Sequence, residues 1–285
     1  MPDSNAPPDN RQTSQVASGS MSEPGQIEHH GPSAAFFDLD RTLISGSSAF
    51  VFGVSAWHAD MLPTRQFIRD AVGAVAFKLR GDHGGDVAGG VRERILGAVT
   101  GIDQASLVGL NESIVPRLLD RVRPESKQLV ELHRRQGRAT YIISASPREL
   151  VEPLAKSLGM TAGIGTISEV VDGRYTGKLL GPFCYGEGKV EAIRELARWE
   201  SFDLAQCYAY SDSISDLPML EAVGHPVAVN PDRRLNSIAI ARGWPIVIFA
   251  RKTKAVVRRT TAAAGTAALA AGSFAAGWRM APRRR

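Results

Sequence analysis

The chain has 285 residues, 44% of them apolar and 22% charged, the balance of a folded soluble protein long enough for one α/β core and a modest inserted domain. Only two cysteines are present, too few for a disulfide framework, which points to a cytoplasmic protein. The net charge of +5 belongs to the C-terminus: residues 251–285 hold nine of the 34 Lys and Arg and no acid, leaving 25 bases against 29 acids, or −4, on the rest. Basic surface confined to a tail argues against nucleic acid as a partner.

Residues 1–32 are rich in Pro, Ser, Asn, Gln and Gly without periodicity, a composition expected to be disordered because it buries too little to offset the entropy of ordering. They lack the basic and apolar regions of a secretory signal. A Gly31-Pro32-Ser33 turn signal then precedes the apolar run Ala34-Ala35-Phe36-Phe37, which predicts a short buried strand over 34–37. That strand stops in Asp38-Leu39-Asp40-Arg41-Thr42. Open α/β sheets bind ligands at the carboxyl ends of their strands, and two acids there repel unless a cation or proton offsets them. Taken alone, Asp-x-Asp reads equally well as a solvated turn.

From 47 to 119 the pattern is helical. Phe50, Val51, Val54 and Trp57, then Phe67, Ile68, Val72, Val75 and Leu79, then Leu107, Leu110, Ile114 and Leu118 recur at three- and four-residue spacing, and a Gly-rich stretch at 81–90 divides the run. No strand pattern interrupts it, so 47–119 is expected to be an all-helical cap inserted after the first strand. Strands and helices alternate after Pro124: helix 125–136, strand 139–144, helix 147–158, a hairpin turning at Asp172-Gly173, helix 187–199, strand 206–210, helix 215–222, strand 226–229, helix 232–242 and strand 244–249. This predicts an α/β core, 33–46 with 120–250, built as a doubly wound, Rossmann-like, mostly parallel sheet.

Three later segments stand beside Asp38 in that pattern: Ile142-Ile143-Ser144-Ala145 at a strand end, Gly188-Lys189 opening a helix, and Ser211-Asp212-Ser213-Ile214-Ser215-Asp216 after a strand. With Asp38-Leu39-Asp40 they resemble, in order and spacing, the four motifs of the haloacid dehalogenase superfamily of phosphotransferases. The resemblance runs over 34–249 and is closest to the phosphoserine-phosphatase-like subfamily. It implies an Mg²⁺-dependent phosphomonoester hydrolase working through an aspartyl-phosphate. Asp38 would be the nucleophile and Asp40 the general acid and base. Mg²⁺ would be held by Asp38, the backbone carbonyl of Asp40, and Asp212. The Ser144 hydroxyl, the Ala145 N–H and Lys189 would bind phosphate. Thr42 would brace the loop by hydrogen bonding, and Asp216 would orient metal-bound water, hold Lys189, or simply cap a helix.

The chain departs from its relatives in places. Ala145, Ser211 and Ser213 stand where glycine is common. The acid that reads a substrate ammonium nine residues after the nucleophile is Ser47 here. Arg94 matches the cap arginine that grips a substrate carboxylate, with Arg92 a near competitor. The expected partner is therefore a small phosphomonoester, phosphoserine or another. The rival reading is a non-catalytic or lipid-phosphate-directed relative at the membrane surface. It draws on residues 260–278, which are 19 uncharged residues between basic clusters, nine of them Ala. As a helix they would span roughly 28 Å, which leaves open a membrane anchor, a peripheral helix on anionic lipid, or a disordered or self-packed tail.

Overall fold

The computed structural model describes residues 32–59, 87–249 and 256–258. Residues 1–31, the periodic run at 67–79 and the uncharged segment at 260–278 lie outside the described residues. Strand β1 (Ala34–Asp38) is buried at all five positions. Its side chains alternate between two cores, as strand geometry requires. Phe37 stacks on Tyr210 of β6 (Tyr208–Ser211), with ring centroids 4.6 Å apart. Phe36, on the other face, stacks on Tyr141 of β2 (Ala139–Pro147) at 5.8 Å. A strand apolar on both faces belongs inside a parallel sheet covered on both sides.

With β3 (Ala162–Thr166), β7 (His225–Val229), β8 (Ile246–Ile248) and β9 (Val256–Arg258), the sheet order is β3-β2-β1-β6-β7-β8-β9. The first six strands of that order are parallel, and β9 runs antiparallel to β8. This is the doubly wound α/β sheet that the alternation predicts. The chain leaves β1 for β2 and β3 on one side, then crosses to β6, β7 and β8 on the other. The switch point therefore falls beside β1, where such sheets bind ligands.

Three details differ from the sequence expectation. Strand β3 has no apolar alternation to announce it. It exists because a Cβ on Gly163 would sit 2.4 Å from the Val151 carbonyl oxygen, and one on Gly165 2.6 Å from that of Ser146. Two glycines thus let the strand press against helix α6 (Arg148–Ser157). Strand β2 also runs further than 144: Pro147 pairs with Thr166 after a register shift and precedes the helix as its N-cap. Finally, β9 places three residues of the basic C-terminal segment on the sheet edge.

Every described element between β1 and β2 is helical: α1 (Ser48–His58), α2 (Val87–Val99), α3 (Gln104–Gly109), α4 (Asn111–Leu119) and α5 (Pro124–Arg135). Leu107, Leu110, Ile114 and Leu118 are all buried, although the helix breaks at Leu110. Val51 and Ala56 of α1 and Ile114 and Leu118 of α4 share one apolar cluster with Phe37, Leu39 and Ile142. Burying a side chain of that size is worth about 1.5–3 kcal/mol, so these helices are fastened to the sheet by the same force that builds it. Strands β4 (Ser168–Val171) and β5 (Arg174–Leu179) form the predicted hairpin, its turn at Asp172 (φ 49°) and Gly173 (φ 76°). The hairpin docks on the inserted helices: Tyr175 packs with Val99 and Leu107, and its N–H donates to the Ile102 carbonyl at 3.0 Å. Among the described residues no helix is long and apolar enough to cross a membrane.

Candidate active site

Asp38 is the last residue of β1, opposite Ile143 of β2, and Phe37 is opposite Tyr210 of β6. This register brings Ser144 and Asp212, each just past those partners, to the same sheet edge as Asp38. The loop that follows doubles back at once. Arg41 adopts φ 61° and its N–H donates to the carbonyl of Gly46, itself at φ 106°. Hydrogen bonds from Ser45 N to Arg121 O (2.8 Å) and from Arg123 N to Leu43 O (3.0 Å) tie the loop to the end of α4.

Asp40 accepts from Ser48 N at 2.8 Å and from Ser47 Oγ at 3.2 Å, which sets its carboxylate on the N-terminus of α1, where the helix dipole favours a negative charge. Ser47 is thus engaged with Asp40. The fully buried Ser48 hydroxyl lies 2.8 Å from Ser146 Oγ, and Ser146 N donates to Ser144 Oγ at 3.1 Å. Contacts through the backbone and side chains of Ser48 and Ser146 therefore tie Asp40 to Ser144. Thr42 braces the loop through its carbonyl, which accepts from Ser126 Oγ at 2.9 Å. Its own hydroxyl is buried and has no hydrogen-bond partner among the described residues.

Lys189 enters from helix α7 (Glu187–Glu200). The Gly-Lys step has a steric origin: a Cβ on Gly188 would fall 1.8 Å from the Phe183 carbonyl oxygen. The Lys189 ammonium is buried between two acids, 2.6 Å from Asp38 Oδ1 and 2.9 Å from Asp216 Oδ2. Of the roles open to Asp216, the carboxylate takes the contact with Lys189, and it makes no capping hydrogen bond to helix α8 (Leu217–Glu221). Ser211 Oγ also donates to Asp216 Oδ2, at 2.6 Å, and accepts from Ser213 N at 3.2 Å. Ser213 is extended, with φ −118°, so glycine is not needed on either side of Asp212. The serines that replace glycine in this motif instead supply hydrogen bonds.

Asp212 is buried, and Arg41 Nε lies 3.0 Å from its Oδ2. Its carbonyl accepts from Asp232 N, and Asp232 in turn accepts from Ile214 N and caps helix α9 (Arg233–Ala241) through Leu235 N. Burial pushes the Asp38 carboxyl up to about 8 against the pull of Lys189. Burial likewise pushes Asp212 up to about 7 despite Arg41, with Asp216 and Asp232 adding repulsion. Burial pulls the Lys189 ammonium down, but Asp216 and Asp38 outweigh it and hold its pKa above the ordinary value. Ala145 lies in the irregular end of β2, its carbonyl accepting from Thr166 Oγ1 at 2.8 Å. Arg94 lies on α2, its side chain outside the described residues, whereas Arg92 is exposed.

Among the described residues no three His, Cys, Asp or Glu side chains gather into a metal-holding group. The ligand set implied by the resemblance does not require one, since it has two carboxylates and a carbonyl. Asp38 and Asp212 fit a hard cation on chemical grounds: both are buried oxygen donors with pKa values raised, and a bound cation would relieve that desolvation.

Residues 35–221 match the family model of the haloacid dehalogenase-like hydrolases. The chain belongs to that family. A probable phosphatase of Mycobacterium tuberculosis is 41% identical to this hydrolase over 261 residues, covering 88% of this chain and 90% of its own. A phosphoserine phosphatase of the same organism is 41% identical over 224 residues, covering 78% and 72%, which places the chain in the phosphoserine-phosphatase-like subfamily. The structure of a phosphoserine phosphatase holding a phospho-aspartyl intermediate analogue superposes with a TM-score of 0.55 at 16% identity, over 73% of this chain and 90% of that one. At that identity the likeness is one of fold.

Sequence reasoning missed Arg41, Ser48, Ser146 and Ser211. Arg41 and Ser211 lie inside recognised motifs but at positions without a fixed chemistry. Ser48 and Ser146 are 98 residues apart, and nothing local marks either one.

Proposed function

We propose that this hydrolase cleaves small phosphomonoesters with Asp38 as nucleophile. The observation that carries the reading is the buried Lys189 ammonium clamped between Asp38 and Asp216, on the strand edge where Asp212 and Ser144 also end. A carboxylate attacking an anionic phosphate needs positive charge already in place, and Lys189 supplies it. An Asp38 oxygen bonds to phosphorus as the bond to the ester oxygen breaks, giving an aspartyl-phosphate. Asp40 gives its proton to the departing alcohol, then takes one from the water that attacks the phosphorus and frees Asp38. Ser144 Oγ and the Ala145 N–H hold the phosphoryl oxygens. Mg²⁺, held by Asp38, Asp212 and the Asp40 carbonyl, would supply Lewis-acid charge stabilisation. Ser47 is committed to Asp40, which supports a substrate without the ammonium of phosphoserine.

Asp38→Asn should lower turnover of p-nitrophenyl phosphate roughly a thousandfold or more with the circular dichroism spectrum unchanged. Chelation should silence the wild type and Mg²⁺ restore it. Near-normal turnover by the variant, or full activity in excess chelator, would overturn the reading. A screen over phosphoserine, histidinol phosphate, sugar phosphates and lysophospholipids would name the substrate. The basic charge carried by 251–285 favours a second reading, a lipid phosphate met at an anionic surface. Vesicle co-sedimentation of the full chain at low salt tests it.

A further inference from the structure

Arg41 has no part in the chemistry above, yet three features set it apart. It is a non-glycine residue at φ 61°, a conformation that costs an ordinary side chain roughly 1–2 kcal/mol and persists where the surroundings enforce it, here through the bond from Arg41 N to Gly46 O. Its side chain is 56% exposed, yet Nε lies 3.0 Å from an Asp212 carboxylate that is only 5% exposed. Asp212 is also one of the two acids offered to a divalent cation, so this inference rests on the metal-dependent reading.

The two cations of the site differ in their freedom to leave. Lys189 is held by two carboxylates and only 3% of its side chain is exposed, so releasing it would strand a charge in the interior. The Arg41 guanidinium lies half in water, where solvent replaces what a broken ion pair gives up. A divalent cation seeks the same carboxylate for the same electrostatic reason and carries twice the charge.

We propose that Arg41 and the divalent cation are alternative partners of Asp212. The guanidinium neutralises the acid while the cation is absent and is displaced toward solvent when the cation binds. Arg41 thereby holds the cation affinity of the site below what its acids alone would give, and sets the divalent concentration at which the site fills.

The test is calorimetric titration of Mg²⁺ into the full chain, wild type against Arg41→Gln. Arg41→Asn serves as a second variant, because asparagine tolerates the left-handed conformation. Competition and charge repulsion have the same sign, so both variants should bind Mg²⁺ roughly three- to tenfold more tightly. Both should melt below wild type in chelator and level with it at saturating Mg²⁺. Unchanged or weaker binding in the variants, or a melting deficit that persists at saturation, overturns the role of Arg41 and leaves the metal reading standing. A wild type that binds no divalent cation overturns both.

Discussion

An ammonium as buried as that of Lys189 is tolerated because Asp38 and Asp216 meet it at 2.6 Å and 2.9 Å. Lys189→Met would leave both carboxylates in a low-dielectric interior with that partner gone, a change that typically costs about 3–5 kcal/mol. Urea unfolding at pH 7 should show a loss of that size. Burial already holds the wild-type Asp38 pKa near 8, and removing Lys189 can only raise it, so wild type and variant both carry that proton below pH 7 and the deficit should stay level between pH 7 and 5. A deficit that closes toward pH 5 would mean that Asp38 is ionised in the wild type at neutral pH. Residues of this kind were legible in sequence because each motif carries its chemistry with it. The Ser48 to Ser146 contact was not, since it exists only where β2 ends beside the start of α1.

The elements deliver those residues through close approaches. Gly188 allows α7 to start against the 183 carbonyl, with the virtual Cβ only 1.8 Å from it. Gly188→Ala should push the first turn of α7 outward and drag Lys189 from its acids. A cost of about 1–3 kcal/mol is expected from overpacking, together with a fall in kcat well beyond what that stability change explains. If kcat at saturating substrate is preserved, the position of Lys189 does not depend on this packing. Helices with full amphipathic periodicity, such as α5 and α7, were read within a residue or two. Strand β3 was not, because its two glycines answer to the Val151 and Ser146 backbones rather than to any local pattern.

At the scale of the whole molecule, His133 links stability to pH. The ring is buried between Tyr208 and Phe37, with Nε2 2.8 Å from the Tyr210 hydroxyl. Burial, with Arg138 nearby, lowers its pKa from 6.5 to about 3. Below pH 6.5 the unfolded chain binds a proton that the folded one refuses, so stability is lost as pH falls from about 6.5 toward 3, by up to roughly 1.4 kcal/mol per unit. Urea midpoints for wild type and His133→Gln between pH 7 and 5 should converge as pH falls; parallel curves would remove His133 as the cause. The sheet edge offers a second check. A chain ending at residue 258 should melt like the full chain, whereas one ending at 249 loses β9 and its pairing with β8 and should melt several degrees lower. Both should retain turnover, since Asp38 ends β1, Asp212 and Asp216 follow β6, and Lys189 lies on α7. Equal melting of the two would show that β9 adds nothing to the sheet.

The sequence by itself determined most strands and helices, β3 and β9 excepted, together with the acids at the strand ends and the lysine at the start of α7. Periodicity and motif spacing are local properties, and Asp38, Asp40, Lys189 and Asp212 each carry their signal within a few residues. Only the tertiary structure decided that Asp216 serves Lys189 rather than a helix end, that Ser47 turns to Asp40, that Arg41 reaches Asp212, and that the hairpin docks on the inserted helices. Apart from Ser47 and Asp40, seven positions apart, those choices are made by burial and by contacts between residues tens to more than a hundred positions apart, which no short window of sequence contains.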